Sequence, residues 1–194
     1  MIIKTDARLI AQTCETTYLQ GLALGCWLVS PSWLEACVEA RARVHEHHFE
    51  VQACNLRSPN LQGKGIKGPE RSRSLIARGE RLLNGRRIFA SSTADATVRT
   101  QLCQLVKLAG GTAIENSMVT PYGALKGPTP DCDLVILTDD SEEAKACIQH
   151  GYKYVLRTSW LMDSVACARC LDTEQYRWRR DLDPERFEMA TSVL

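Results

Sequence analysis

Several groups of residues in this chain are of types that can do chemistry. His45, His47 and His48, with Cys37 and Cys54 within reach in sequence, offer imidazole and thiolate ligands. Zinc sites, however, use closely spaced cysteine and histidine pairs. No Cys-x-x-Cys lies beside these histidines, so they are read as exposed residues at a segment boundary and no metal is predicted. Cys167-Ala168-Arg169-Cys170 has the spacing of a redox pair. It falls at a predicted helix end, outside the strand–helix context in which such pairs work, and is read as helix packing. Gly110-Gly111 could bring backbone amides to a phosphate, but the wider phosphate-loop pattern is missing. A helix stop and tight turn is the expectation there. Arg71, Arg73, Arg78, Arg81, Arg86 and Arg87 form a basic cluster able to meet nucleic-acid phosphates or an acidic partner. A solvated, partly helical segment is the simpler reading of it. No nucleophile elbow, zincin helix or Walker loop occurs. Carboxylates gather mainly in surface-like runs such as Asp139-Asp140-Ser141-Glu142-Glu143. The chain is therefore predicted to hold no catalytic residue and no cofactor.

Composition narrows the classes further. The 194 residues carry a net charge of +1, 44% hydrophobic and 24% charged residues. That is enough apolar material for a packed core, and too little basic excess for a chain that works mainly by neutralising phosphates. No apolar run has the roughly 18 residues of a membrane span. Met1-Ile2-Ile3-Lys4-Thr5-Asp6 lacks a signal-peptide layout, so a soluble intracellular chain is expected. The nine cysteines are odd in number and irregular in spacing. They read as free thiols acting as small hydrophobes, with no disulfide framework.

The elements that must position these residues fall in two lobes. Residues 52–82 are rich in Gly, Pro, Ser, Asn and Arg and read as a linker with some helical character near its end. The flanking lobes share a pattern: Cys26-Trp27-Leu28-Val29-Ser30-Pro31-Ser32-Trp33-Leu34 in the first, Tyr154-Val155-Leu156-Arg157-Thr158-Ser159-Trp160-Leu161 in the second. In each, an apolar triplet suited to a buried parallel strand leads through a polar step to Ser-Trp-Leu and a helix. Ser32 and Ser159 sit where N-caps are expected. Trp33 and Trp160 are read as core anchors. The second lobe alternates throughout: strand Arg87–Ala90, amphipathic helix Thr97–Leu108 ended by Gly110 and Gly111, strand Thr112–Ile114, a long loop, strand Leu134–Leu137, helix Ser141–His150, then the Tyr154 strand and Trp160 helix. Alternation of this kind implies parallel sheets flanked by helices. The first lobe offers Ile2-Ile3-Lys4 as a strand, a helix over Thr16–Leu24, the Trp27 strand and the Trp33 helix. Counterparts of the second lobe's first strand, first helix and second strand are missing.

These repeated segments, with Ala109-Gly110-Gly111 after the second lobe's first helix, resemble BRCT repeats in tandem. Lys4-Thr5-Asp6-Ala7, Glu46-His47-His48-Phe49-Glu50-Val51, Gly68-Pro69-Glu70-Arg71-Ser72-Arg73 and Leu161-Met162-Asp163-Ser164-Val165-Ala166 are similar to one subgroup, that of the breast cancer susceptibility tandems and their RING-domain partners. The resemblance implies an α/β fold of two BRCT repeats, each a small parallel sheet flanked by helices, the first N-terminally incomplete. The repeats would be residues 1–51 and 83–178, with the linker at 52–82 and a C-terminal tail at 179–194. It implies a nuclear interaction module in DNA damage response, double-strand break repair and homologous recombination, part of a RING ubiquitin ligase complex and monomeric within a larger protein.

The expected partner is a phosphorylated protein or peptide of the pSer-x-x-Phe type, with weak nucleic-acid contact through Arg71, Arg73, Arg78 and Arg81 as the alternative. In the family the first repeat holds the phosphate and the inter-repeat groove holds the aromatic side chain. A phosphate with nearly two negative charges needs backbone donors, a hydroxyl and usually a lysine. The lysine slot of the first repeat falls on Thr17, or on Thr16 if the gap moves. Ser91 and Ser92, with Lys145, form the matching constellation in the second repeat. Groove positions fall on Cys14, Leu19, Ala96, Thr97, Thr158 and Met162. Inter-repeat packing is assigned to Leu22, Leu102, Leu105 and Val106, alongside the groove residues Leu19 and Met162. A scaffold without phosphate binding is the remaining alternative, because neither Thr16 nor Thr17 is basic.

Overall fold

The computed structural model describes residues 1–55, 61, 67–90, 95–114 and 134–178. They fall into two compact units. One contains Met1–Gly85, Gln104–Gly111 and Leu161–Leu171; the other contains the remainder, from Arg86–Cys103, Thr112–Trp160 and the segment after Leu171.

In the first unit, Asp6 organises the N-terminal turn, its carboxylate accepting the amides of Arg8 and Ile10 at 2.9 Å each. Strand β1 (Ile10–Ala11) follows, then helix α1 (Thr16–Ala23) and helix α2 (Ser32–Ala40). Strand β2 (Ala53–Cys54) pairs in parallel with β1. The predicted strands at Ile2 and Trp27 reduce to bridges: Ile2 pairs with Val29 in parallel, and Val29 with Glu50 antiparallel. Short pairings of this kind leave few ladder hydrogen bonds, so α-helical packing carries more of this unit. Helix α1 buries Tyr18, Leu19, Leu22 and Ala23.

Helix α3 (Gly68–Ala77), within the stretch read from sequence as a linker, belongs to this unit, with Pro69 at its start, where its missing N–H is harmless. Ser72 is buried and its hydroxyl donates to the Leu22 carbonyl of α1. At Gly68 a Cβ would overlap the carbonyl oxygen of Ala166, so the approach of these two backbones requires glycine. Leu22, Ala23, Ser72, Ile76, Ala109 and Val165 help to line a residual cavity of only about 20 Å³. Packing here is therefore close, as in protein interiors generally.

Two expectations fail in this unit. Cys14 and Cys54 are not free thiols but a disulfide, with Cα atoms 5.8 Å apart. The parallel pairing of β1 with β2 brings together cysteines 40 residues apart in sequence. Of the other described cysteines, Cys26, Cys37, Cys103, Cys147, Cys167 and Cys170 are outside any disulfide. Second, α2 takes Pro31 and not Ser32 as its N-cap, and none of its residues is buried.

In the second unit, strands β3 (Arg87–Ala90), β4 (Thr112–Ile114), β5 (Leu134–Leu137) and β6 (Tyr154–Leu156) form a single sheet in the order β4-β3-β5-β6. Every neighbouring pair is parallel. Parallel strands need crossovers, and helices α4 (Ala96–Leu108) and α5 (Ser141–Gln149) lie between β3 and β4 and between β5 and β6 in the chain. Helix α6 (Ser159–Ala166) follows β6 in the chain, its residues from Leu161 belonging to the first unit. The core joins Phe89, Ile136, Ala144, Cys147 and Val155, flanked by Ile114, Tyr152 and Trp178. The indole of Trp178 donates to the Thr138 carbonyl at 2.9 Å. The end of α4 belongs to the first unit: Gly110, at φ +88°, ends the helix as expected, and a Cβ there would also overlap the Cβ of Arg81. Gly111 completes the turn, donating its amide to the Val106 carbonyl. These features are the α/β tandem-repeat plan predicted from the sequence.

Candidate functional site

The first phosphate position lies at the start of α1. Thr16 is partly buried and Thr17 exposed. Glu15 is the N-cap, without a side-chain cap bond to the helix, and its carboxylate accepts from the Thr13 hydroxyl at 2.9 Å. A carboxylate at a helix N-terminus is itself favourable and repels a second anion. With no basic side chain in this helix's first turn, the position has a hydroxyl pair but no cation.

The second phosphate position has one cation, already paired. Lys145 on α5 pairs with Glu142 at 2.8 Å. The α5 amides that might hold an anion are taken by Asp140, whose Oδ1 accepts from Glu142 N at 2.8 Å and Glu143 N at 3.0 Å. Ser91 and Ser92 lie outside the described residues.

Groove candidates scatter. Leu19 is 3% exposed and belongs to the core, because its helix turns Tyr18, Leu19 and Leu22 inward together; this corrects its expected place in an open groove. Cys14 is held in the disulfide. Ala96 and Thr97 are exposed at the start of α4. There Asp95 accepts the Thr97 amide at 2.7 Å, which holds the Asp95 carboxyl below its ordinary range. Thr158 is committed to Asp139 through both its amide and its hydroxyl. Met162 is exposed. Leu22, Leu102, Leu105 and Val106, assigned to packing, are all buried.

Trp160 is wholly buried, but Trp33 is only partly so, its indole donating to the Val44 carbonyl at 3.0 Å. The expectation of a core anchor fails at Trp33 because the strand before α2 is reduced to single bridges and gives the helix little sheet to cover. The histidines stack edge to face, His47 against His48 at 5.5 Å and His45 against Trp27 at 5.8 Å. Among the described residues no group of three or more His, Cys, Asp or Glu is placed to hold a metal. Cys167 and Cys170 are unbonded to each other; burial pushes the Cys167 thiol up to about 11.

The linker arginines divide sharply. Arg73 lies over the Trp27 ring at 3.4 Å and makes a two-pronged ion pair with Glu50, at 2.8 and 2.6 Å. The Glu50 side chain is 4% exposed, so this pair is a buried tie between α3 and the segment after α2. Arg81 donates to the carbonyls of Ala23 and Leu108, both at 3.3 Å, tying α1 and α4 ends within the same unit. Arg73 is thereby withheld from a ligand, whereas Arg81 stays exposed with its guanidinium tethered to those carbonyls. Arg71 and Arg78 instead face an open cavity of about 380 Å³, together with Lys67, Glu70, Ser74 and Arg169. Sequence reasoning missed Arg169. It lies nearly a hundred residues from Arg71, and no spacing joins them; only the close packing of Gly68 on Ala166 brings their segments together.

A four-stranded parallel sheet with flanking helices, preceded by a shorter repetition of its strand and Ser-Trp-Leu helix, is the architecture of a tandem BRCT region. The structure resembles the S. pombe Brc1 BRCT5-BRCT6 domains, with a TM-score of 0.61 at 17% identity, covering 88% of this chain and 81% of that one. It also resembles Rtt107p, solved as a complex with a phosphorylated histone, with a TM-score of 0.56 at 11% identity, covering 88% and 76%. In sequence the chain is similar to the breast cancer type 1 susceptibility protein homolog of Mus musculus, 28% identical over 185 residues. The match takes in 91% of this chain but only 9% of that relative's length. No protein-family model matches the chain.

Proposed function

We propose that this chain is a protein–protein interaction module that recruits a partner in DNA damage response and double-strand break repair. The observation that carries the reading is the tandem BRCT fold joined to sequence similarity with the breast cancer type 1 susceptibility protein. In finer terms, the partner is a phosphorylated protein segment of the pSer-x-x-Phe type, the setting is the nucleus and homologous recombination, and the parent assembly is a RING ubiquitin ligase complex. That Rtt107p was solved with a phosphorylated histone supports a phosphoprotein as ligand. The repeats are taken as residues 1–51 and 83–178. The module acts by holding its partner; chemistry, where needed, belongs to other parts of the assembly.

Fluorescence anisotropy of the full chain against a pSer-x-x-Phe peptide library, with unphosphorylated controls, tests this. Phosphate-dependent binding in the micromolar range or tighter is expected. Folded protein that shows no phosphate-dependent signal overturns the phosphopeptide reading and leaves a scaffold.

A further inference from the structure

Neither predicted phosphate position is well supplied with positive charge, while one cavity in the first unit holds a surplus of it. Among the described residues, Lys67, Arg71, Arg78 and Arg169 line it, with Glu70 as the one carboxylate. Lys67 pairs with Glu70 at 3.1 Å, and Arg78 with Glu80 at 3.1 Å. Arg71 and Arg169 have no ion pair among the described residues. Two guanidinium groups lining one concavity, neither held by a carboxylate, leave their donors open to an anion. Guanidinium forks match the oxygens of phosphate in two-pronged fashion.

The charge and shape select among anions. Nucleic acid would need a basic stripe along which a backbone can run. Arg73, which would extend such a stripe, is turned onto Glu50, and Arg81, though exposed, is tethered to the Ala23 and Leu108 carbonyls. What remains is a compact cluster at one concavity. A cluster of this kind favours a single concentrated charge, and a phosphomonoester carries nearly two.

We infer that the Arg71–Arg78–Arg169 cavity binds the phosphomonoester of a phosphorylated protein segment, with Leu75 beside it as the apolar contact for a neighbouring side chain. The protein nature of the ligand rests on the interaction-module reading; the phosphate site itself does not. The site lies on α3 and the turn after α6, away from the α1 position predicted from the sequence.

The test titrates the full chain with O-phospho-L-serine and follows the arginine side-chain Nε–Hε signals by NMR. It runs in parallel with the phosphopeptide library, for wild type, Arg71→Gln/Arg169→Gln and Thr17→Ala. Saturable shifts at Arg71 and Arg169 are expected, with roughly tenfold or greater weakening in the double variant and none in Thr17→Ala. Binding should also weaken between about pH 7.5 and 5.5 as the phosphomonoester takes up its second proton near pH 6. Among the described residues the lining contains no histidine, its ionisable groups being Lys67, Glu70, Arg71, Arg78 and Arg169. A single-stranded oligonucleotide, a phosphodiester, has no such titration. Oligonucleotide binding that depends on Arg71 and Arg169 and ignores this pH step overturns the assignment. So does library binding left unchanged by the double variant, in which case the interaction-module reading stands and only the site falls. Phosphoserine shifts at the two arginines without any library binding support the cavity and overturn the pSer-x-x-Phe reading. Thermal melting confirms that the double variant is folded, and Arg71→Lys/Arg169→Lys, which keeps the charge, retains part of the binding.

Discussion

Helices α2 and α6 begin with the same three residues, Ser-Trp-Leu, and meet different fates. In α6, Trp160 and Leu161 are wholly buried, and Asp163, Ser164, Val165 and Ala166 are buried after them. In α2 nothing is buried; Leu34 is 50% and Val38 72% exposed. The local structure is alike, since the Trp160 amide donates to Arg157 and the Trp33 amide to Ser30, each three residues back. The surroundings differ. From Leu161 on, α6 belongs to the first unit, where Gly68 of α3 meets the Ala166 backbone and Val165 lines the same tight cavity as Leu22 and Ser72. The segment before α2 is held by single bridges at Val29. A short motif can specify a turn and a helix, but burial comes from the elements that the rest of the fold packs against it.

The sharpest way to break that comparison is to truncate both tryptophans. Trp160→Ala should destabilise by about 3–5 kcal/mol, the ordinary range for a buried aromatic. Trp33→Ala should lose only about 1 kcal/mol, from part of its apolar area and one hydrogen bond. Urea denaturation measures both. Equal losses would mean that Trp33 is as well packed in solution as Trp160, and that α2 is covered.

Where sheet is scarce, a polar tie replaces it. Arg73→Ala leaves Glu50, 4% exposed, without its partner. Removing one member of a buried pair typically costs about 3–5 kcal/mol, and the 22% exposure of Arg73 places this one near the lower end, about 3 kcal/mol. The double change Arg73→Met/Glu50→Leu should recover most of that, because neither charge is then stranded. A double variant as unstable as the single one would show that the Trp27 stacking, not the ion pair, holds the segment.

The second lobe was legible almost element by element. Its strands are continuous apolar runs bounded by Gly, Asp and Ser, and period and boundary agree there. The first lobe was less so. Strands β1 and β2 are two residues each, too short to show a period, and their pairing alone joins Cys14 to Cys54. The arginine cluster was visible as a cluster, but which members face solvent was not. Arg71, Arg73 and Arg78 share one helix and its C-cap, and only the partners that tertiary packing supplies separate Arg73, on Glu50, from the other two. Arg169 carried no signal in the sequence.

Alkaline pH probes both units at once. Burial pushes the Cys147 thiol up to about 12 and the Cys167 thiol up to about 11. An unfolded thiol titrates near 8.5. Both groups therefore favour the fold fully below about pH 8.5, and that contribution fades as pH rises toward the folded values. The melting temperature should fall between about pH 9 and 11, and Cys147→Ala and Cys167→Ala should each flatten the fall. A profile unchanged in both variants would place the alkaline transition on other groups.

The smallest effect is expected at Tyr18, the residue of α1 on which the first unit's packing least depends for polar contact. Its side chain is 1% exposed, and its hydroxyl has no hydrogen-bond partner among the described residues. Burial, with lesser contributions from Cys167 and Glu50, raises its ionisation well above the ordinary tyrosine range. A buried hydroxyl without a partner keeps its desolvation penalty and returns nothing for it. Tyr18→Phe retains the ring and removes the penalty, so stability should be unchanged or rise by up to about 1 kcal/mol. A loss of more than that in urea denaturation would mean the hydroxyl is hydrogen-bonded in solution, most simply through a bound water.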